Sequence, residues 1–329
     1  MGLFEEIVSH KTPVYETHDK NVLVTGGCGF IASNFINIMK PRYPHLNFIN
    51  IDKLDYCSNI ENINPGISTF VHGNICDDTL ITELVKKYKF KTIFHFAAQS
   101  HVDNSFTDPK SFTMNNVYGT HTLMECLRKH APRAEIIHFS TDEVYGESTT
   151  DVPFTEESGL LKPTNPYSAS KAAAEMICQS YIDSYKMNIK TIRCNNVYGP
   201  NQYPEKLIPK FKKLLKSGKK CTIHGTRSAK VKRSFLHVDD VVDAVDVVWN
   251  KGKSGEIYNI ASDEEISVMD ITKMMILSIV GTSNYDEWIE YVEDRLFNDS
   301  GYYICAKKLK NLGWVQKKTK KDLIQFLNK

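Results

Sequence analysis

An α/β fold with a doubly wound parallel sheet is what this sequence predicts. Short apolar runs alternate with helix-length stretches from residue 21 to about residue 193, the pattern of repeated strand–helix units. The first run leads straight into a glycine-rich turn, Gly26-Gly27-Cys28-Gly29, and then a helix. The second run ends in an acid, Asp52, 20 residues beyond Ala32. Those features together are the sequence signature of a Rossmann-type sheet.

Taken in order, Asn21 to Thr25 reads as a buried strand and Ser33 to Met39 as the helix after the turn. The spacing is Gly-x-x-Gly-x-x-Ala, with Gly26, Gly29 and Ala32. Glycines there let backbone approach a pyrophosphate, which the free N–H groups of a helix N-terminus then stabilise. Phe48 to Asp52 is the second strand, and an acid at its end suits the ribose hydroxyls of NAD. The same carboxylate repels the 2′-phosphate of NADP, with Lys53 pulling the other way. Phe70 to His72 and Thr92 to Phe96 are further strands, the latter leading into small residues, Ala97 and Ala98. His95 and His101 have no companions at metal-ligand spacing and read as hydrogen-bonding histidines. A helix around Ser111 to Lys129 precedes a strand from Ile136 to Phe139.

That strand ends in Ser140-Thr141-Asp142-Glu143, a hydroxyl followed by two carboxylates, where ligands of open α/β sheets bind. Tyr167 and Lys171 then stand one helical turn apart on one helix face. Together they could move several protons; the same residues also fit a capped turn and a plain helix surface. The helix runs to about Tyr185, and a strand follows over Ile189 to Arg193. Asn195 to Pro200 reads as a loop.

Bulk properties narrow the function. With 329 residues and 41% hydrophobic content, the chain can bury one large or two modest cores. A net charge of +2 points to no polyanionic partner. Lysines cluster over residues 210–220, but Ile208, Phe211, Leu214 and Leu215 recur at helical spacing among them. The lysines there read as the solvated face of an amphipathic helix, not a nucleic-acid site. Eight cysteines at scattered positions fit a reduced compartment. Residues 1–19 form a polar tail, and no segment approaches the ~20 apolar residues that cross a bilayer. The expectation is a cytoplasmic protein without a metal, built as a tail (1–19), a cofactor domain (20–193) and a mainly substrate-binding part (194–329), with part of 220–260 returning to the first domain.

Several segments resemble those of extended short-chain dehydrogenase/reductases, specifically nucleoside-diphosphate-glucose 4,6-dehydratases. They are residues 25–33 (TGGCGFIAS), 52–59 (DKLDYCSN), 95–105 (HFAAQSHVDNS), 140–147 (STDEVYGE), 165–171 (NPYSASK) and 195–211 (NNVYGPNQYPEKLIPKF). The wording is most similar to the dehydratase domain of UDP-rhamnose synthases. The resemblance implies NAD held by Gly26, Gly29, Phe30, Ile31, Asp52, Lys53, Asn74, Ile75, Ala97, Ala98, Tyr167 and Lys171. It implies a nucleotide-sugar substrate, UDP-glucose or dTDP-glucose, held by Ser100, Asn196, Lys206, Leu207, Arg233, Asn259 and Arg295. Catalysis would fall to Thr141, Asp142, Glu143, Tyr167 and Lys171, with Tyr167 as a base whose pKa Lys171 and the nicotinamide charge lower. A homodimer packed through the helices near Ser111–Lys129 and Tyr167 is also implied. Ala32, Asn74, Gln99 and Ser234 depart from the pattern, outside the proton-transfer set. A 4-epimerase on the same scaffold and a non-catalytic NAD-binding protein are the competing readings.

Overall fold

A computed structural model describes residues 20–148, 152–225, 229, 231–293 and 301–328, which leaves the N-terminal tail outside the described residues. The apolar runs of the first half become β1 (Asn21–Thr25), β2 (Asn47–Asp52), β3 (Thr69–His72), β4 (Thr92–His95), β5 (Glu135–Thr141) and β6 (Asn188–Cys194). The second half adds β7 (Asn196–Tyr198), β8 (Cys221–His224), β9 (Lys232–His237), β10 (Ile257–Ile260), β11 (Glu265–Ser267) and β12 (Ile289–Val292). Seven of these pair in parallel in the order β10-β6-β5-β4-β1-β2-β3, so the doubly wound parallel sheet is present.

Alternation along the strands sorts side chains between two cores. On β1, Val22 and Val24 enter one core while Leu23 enters the other; on β5, Ile137 and Ile136 divide the same way. The first core holds Phe35 and Ile36 of the Phe30–Arg42 helix and Val241, Val245 and Val248 of the Val238–Lys251 helix. The second holds residues of the helices Asp78–Tyr88, Gly119–His130 and Pro166–Tyr185. Burial on both faces is what a parallel sheet requires, and it explains the continuous apolar runs. A third core, around Tyr198, Phe211, Ile271, Met275 and Leu327, joins the helices Leu207–Lys216, Val268–Val280 and Lys320–Asn328 beyond the sheet.

Two helices differ from their expected extents. The first begins at Phe30 instead of Ser33 and ends at Arg42, because Gly29 in extended conformation serves as its N-cap. The expected helix near Ser111–Lys129 is Pro109–Phe112, a π-helical segment Thr113–Tyr118 and Gly119–His130. The π segment carries Asn116, which donates to the Gln99 carbonyl (2.9 Å) and to Ser170 Oγ (2.8 Å) and accepts from the Gln99 N–H (2.7 Å). Widened helical turns of this kind are frequent at functional sites.

The Pro166–Tyr185 helix is held to the sheet by a buried ion pair. Arg193 of β6 donates through Nε and Nη2 to the Glu175 carboxylate, at 2.6 Å for the closest contact, and both side chains are 3% exposed. The Arg193 guanidinium also lies 4.5 Å from the centroid of the Tyr145 ring. Removing one partner leaves the other charge buried and unpaired, which costs ~3–5 kcal/mol, whereas removing both is far milder. Glu175→Gln should therefore lower stability by about 3 kcal/mol or more in chemical denaturation, and Glu175→Gln with Arg193→Met should recover most of it. A single variant as stable as wild type would show that the pair does not hold the helix.

Candidate active site

Strand ends deliver the expected residues to one cavity on the carboxyl side of the sheet. Gly26, Gly29, Phe30, Ile31, Asp52, Lys53, Asn74 and Ile75 line it at the ends of β1, β2 and β3. Ala97, Ala98 and Ser100 follow β4; Thr141, Asp142 and Glu143 follow β5. Tyr167 and Lys171 come from the first turns of the Pro166–Tyr185 helix, and Asn196, Lys206 and Leu207 from the segment after β6.

At the glycine turn the backbone sits as a dinucleotide would need it. Gly26 has φ +69°, and a Cβ there would lie 2.7 Å from Ala97 Cα, so no side chain fits between the two loops. Gly29 caps the next helix with no side-chain hydrogen bond, which leaves its N-terminal dipole facing the cavity. Asp52 Oδ2 accepts from the Cys28 N–H (3.0 Å) and Oδ1 from the Leu54 N–H (2.8 Å) and Ser58 Oγ (3.1 Å). Lys53 is turned away to Asp55 (2.6 Å) and Asn115 Oδ1 (2.8 Å). This donor and acceptor set fits an adenosine diphosphate bearing free ribose hydroxyls.

His95 is enclosed between Thr25 Oγ1 (2.8 Å) and Thr120 Oγ1 (2.9 Å), and burial pushes its pKa down to about 3. It is a neutral hydrogen-bonding group that ties β1 and β4 to the Gly119–His130 helix. His101 faces Glu205 (3.5 Å) and Asp103 (3.7 Å).

The two adjacent carboxylates occupy different environments. Asp142 is 4% exposed; its Oδ2 accepts from Asn195 Nδ2 (2.6 Å) and its Oδ1 from Thr141 Oγ1 (3.1 Å). Burial and then the neighbouring Glu143 charge push its pKa up to about 7. Glu143 stands more open, its Oε2 accepting from Asn165 Nδ2 (2.9 Å) and from the Tyr302 hydroxyl (3.4 Å). One carboxyl is thus suited to carry a proton and the other to take one.

Burial and then the Glu143 charge drive the Tyr167 phenol above its usual pKa, while a hydrogen bond with Thr141 lowers it. Lys171 donates to the Phe139 carbonyl (2.8 Å), and burial lowers its pKa to about 8. That bond to the strand backbone holds the Lys171 side chain at the cavity wall.

The remaining sugar-nucleotide candidates divide. Lys206 Nζ donates to the Ser100 carbonyl (2.8 Å), which joins two cavity walls. Asn259 does not belong to the cavity: it is fully buried, accepts from the Tyr145 hydroxyl (2.9 Å), and donates to the Phe154 and Cys305 carbonyls. Its amide is consumed by internal bonds, so its role is structural. Arg233 is also absent from the lining; its guanidinium lies 5.2 Å from the Tyr302 ring centroid, close enough to Asp142 to lower that carboxyl slightly against burial. Arg295 lies outside the described residues.

Sequence reasoning missed three positioning residues. Asn165 caps the Pro166–Tyr185 helix through the Ser168 N–H (2.9 Å) while holding Glu143, and Asn before Pro at a helix start signals such a cap. Asn195 stands beside the chosen Asn196 but at the end of β6, so it points to Asp142. Tyr302 comes from far along the chain, and no local pattern marks it.

The Asp142 environment has a measurable consequence. A carboxyl moved from 3.8 to about 7 favours folding below the lower value and loses that contribution as pH rises to the upper one. The full effect is on the order of 4 kcal/mol. Asparagine does not titrate, so Asp142→Asn should gain melting temperature relative to wild type between about pH 4 and pH 7, and hold that gain above. A difference that stays flat across this range would rule out a buried, proton-bearing Asp142.

Comparison with known proteins places the chain. The family model described as GDP-mannose 4,6 dehydratase matches residues 23–326. The dTDP-D-glucose 4,6-dehydratase of Bos taurus is 47% identical over 306 residues, covering 91% of this chain and 84% of that protein. A trifunctional UDP-glucose 4,6-dehydratase/UDP-4-keto-6-deoxy-D-glucose 3,5-epimerase/UDP-4-keto-L-rhamnose-reductase of Arabidopsis thaliana is 45% identical over 308 residues, 92% of this chain; the chain spans only 46% of that protein's length. Among solved structures, the dTDP-glucose 4,6-dehydratase DesIV from Streptomyces venezuelae, crystallised with NAD, superposes with a TM-score of 0.86 at 34% identity, over 93% of this chain and 95% of that one. Matched nearly end to end beyond its first 22 residues, the protein belongs to the GDP-mannose 4,6-dehydratase family of extended short-chain dehydrogenase/reductases.

Proposed function

We propose that the protein is an NAD-dependent nucleoside-diphosphate-glucose 4,6-dehydratase that acts on UDP-glucose. The observation that carries the reading is the pair Asp142 and Glu143: a buried carboxyl with a pKa near 7 beside an open one, in the cavity that also holds Tyr167, Thr141 and Lys171. Bound NAD supplies a hydride acceptor that takes hydrogen from C4 of the sugar and returns it at C6. Tyr167 accepts the proton of the 4-hydroxyl, with Thr141 orienting that oxygen. Oxidation at C4 makes the C5 proton acidic, and Glu143, steadied by Asn165, is the base that removes it. Asp142, kept protonated by burial, protonates the departing 6-hydroxyl. A 4-epimerase needs no base at C5, so Glu143 in this setting favours the dehydratase.

Support for UDP over dTDP comes from the wording of the sequence motifs; relatives named for either nucleotide stand at 45–47% identity. A uracil–thymine difference is one methyl, worth ~1–3 kcal/mol in a pocket. The decisive experiment is mass spectrometry of the protein with NAD and each nucleotide-glucose. The expected product is lighter by one water, formed faster from UDP-glucose, with no net NADH. A product of unchanged mass would make the protein an epimerase.

General acid–base steps contribute ~10²–10⁴-fold each. Asp142→Asn and Glu143→Gln should each cut dehydration by that order; retention of full activity by both would overturn their roles.

Assembly as a cytoplasmic homodimer is part of the reading. Exposed Met114 and Tyr118 (51% and 48%) precede the Gly119–His130 helix, and Met176 (54%) lies on the Pro166–Tyr185 helix, an apolar surface suited to a second copy. No described helix is long and apolar enough to cross a membrane. Sedimentation should give twice the chain mass, and Met176→Glu should shift it toward the monomer. A wild-type monomer at micromolar concentration would exclude the dimer.

A further inference from the structure

The dehydratase reading carries an unbalanced proton. Each turnover leaves Tyr167 with the proton of the 4-hydroxyl and Asp142 without the proton it gave to the 6-hydroxyl. Glu143 can return its proton to C5 and so ends as it began. Before the next turnover, one proton must leave the phenol and one must reach the carboxylate. Both groups are nine-tenths buried or more, so solvent has poor access to either.

Thr141 stands between them. Its hydroxyl donates to Asp142 Oδ1 (3.1 Å), lies in hydrogen-bonding reach of the Tyr167 phenol, and accepts from the Glu143 N–H (3.3 Å). A hydroxyl has one proton to donate and two lone pairs to accept with. The one proton is directed at Asp142, and a lone pair remains for the phenol once the Glu143 N–H has taken the other. Thr141 is itself 7% exposed, and its backbone is fixed as the last residue of β5, so this arrangement has little freedom to change.

We infer that Thr141 is a proton relay that returns the proton of Tyr167 to Asp142, arming both groups in one event. The O–H bond of Tyr167 breaks as Thr141 Oγ1 takes that proton. The original Thr141 O–H proton passes to Asp142 Oδ1. The net change is a phenol and a carboxylate becoming a phenolate and a carboxylic acid, with threonine restored and no other species consumed. Those are the two forms that the C4 oxidation and the loss of the 6-hydroxyl need. Asn195 Nδ2 on the other carboxylate oxygen (2.6 Å) keeps Oδ1 facing the threonine.

The inference rests on the dehydratase reading, and the test separates the two. Wild type, Thr141→Ser and Thr141→Val are compared with NAD and UDP-glucose by rapid-quench and steady-state assays. Serine keeps the hydroxyl, and valine keeps the shape without it. Wild type that forms no product lighter by water from either nucleotide-glucose overturns the reading and the relay with it. With an active wild type, the relay predicts that Thr141→Ser, which keeps the hydroxyl, recovers most of the turnover that Thr141→Val loses. For Thr141→Val it predicts a steady-state rate ~10²-fold lower, with a first turnover that is slowed less, seen as a burst approaching one product per site. It also predicts that the slow rate of Thr141→Val rises with buffer concentration at constant pH and ionic strength, as protons then come from solution. Equal losses in the first and later turnovers with no buffer dependence would overturn the relay and leave Thr141 an orienting residue only.

Discussion

The site depends on a charge pair that never touches the cavity. Glu175 and Arg193 meet in the interior at 2.6 Å, one on the Pro166–Tyr185 helix and the other on β6, with β5 and β4 between it and the strand that leads into the glycine turn. A buried pair is no large source of net stability, since desolvation opposes it. Its value is positional. Arginine's planar fork and the opposing carboxylate hold one geometry, and a helix held at that point cannot slide along the sheet. Tyr167 and Lys171 lie on the same helix about two turns and one turn before Glu175 respectively, and Lys171 adds a bond to the Phe139 carbonyl on β5. Helix, β5 and β6 become one body, and the proton-handling groups are carried by all three.

Within that body, neighbours in sequence receive opposite chemistry. Asp142 and Glu143 follow one another, yet the short turn after β5 sends the first inward to Asn195 and the second toward Asn165 and Tyr302. Burial governs the first and hydrogen bonding with partial exposure the second. The same physical separation gives two adjacent carboxyls different surroundings. Asn165 does two things with one amide, capping a helix through its oxygen and orienting Glu143 through its nitrogen.

The superposition on an NAD-bound dehydratase at 34% identity extends over both halves of the chain, whereas a UDP-glucose 4-epimerase from Thermotoga maritima superposes equally far at 27% identity with a TM-score of 0.83. Fold is therefore shared between dehydratases and epimerases, and function has to be argued from the site.

The residues alone determined the strand–helix alternation, the glycine turn, the acid at the end of β2 and the helical spacing of Tyr167 and Lys171, because each is a local pattern with a local physical cause. Thr141, Asp142 and Glu143 were legible for the same reason, as polar residues at the end of an apolar strand. Asn259 was misjudged because a motif cannot show that an amide is already bonded to Phe154 and Cys305, more than 40 residues away on either side. The raised pKa of Asp142, the raised Tyr167 phenol and the hold of Tyr302 on Glu143 were decided only by tertiary structure. Those properties depend on burial and on partners distant in the chain, and local sequence contains neither.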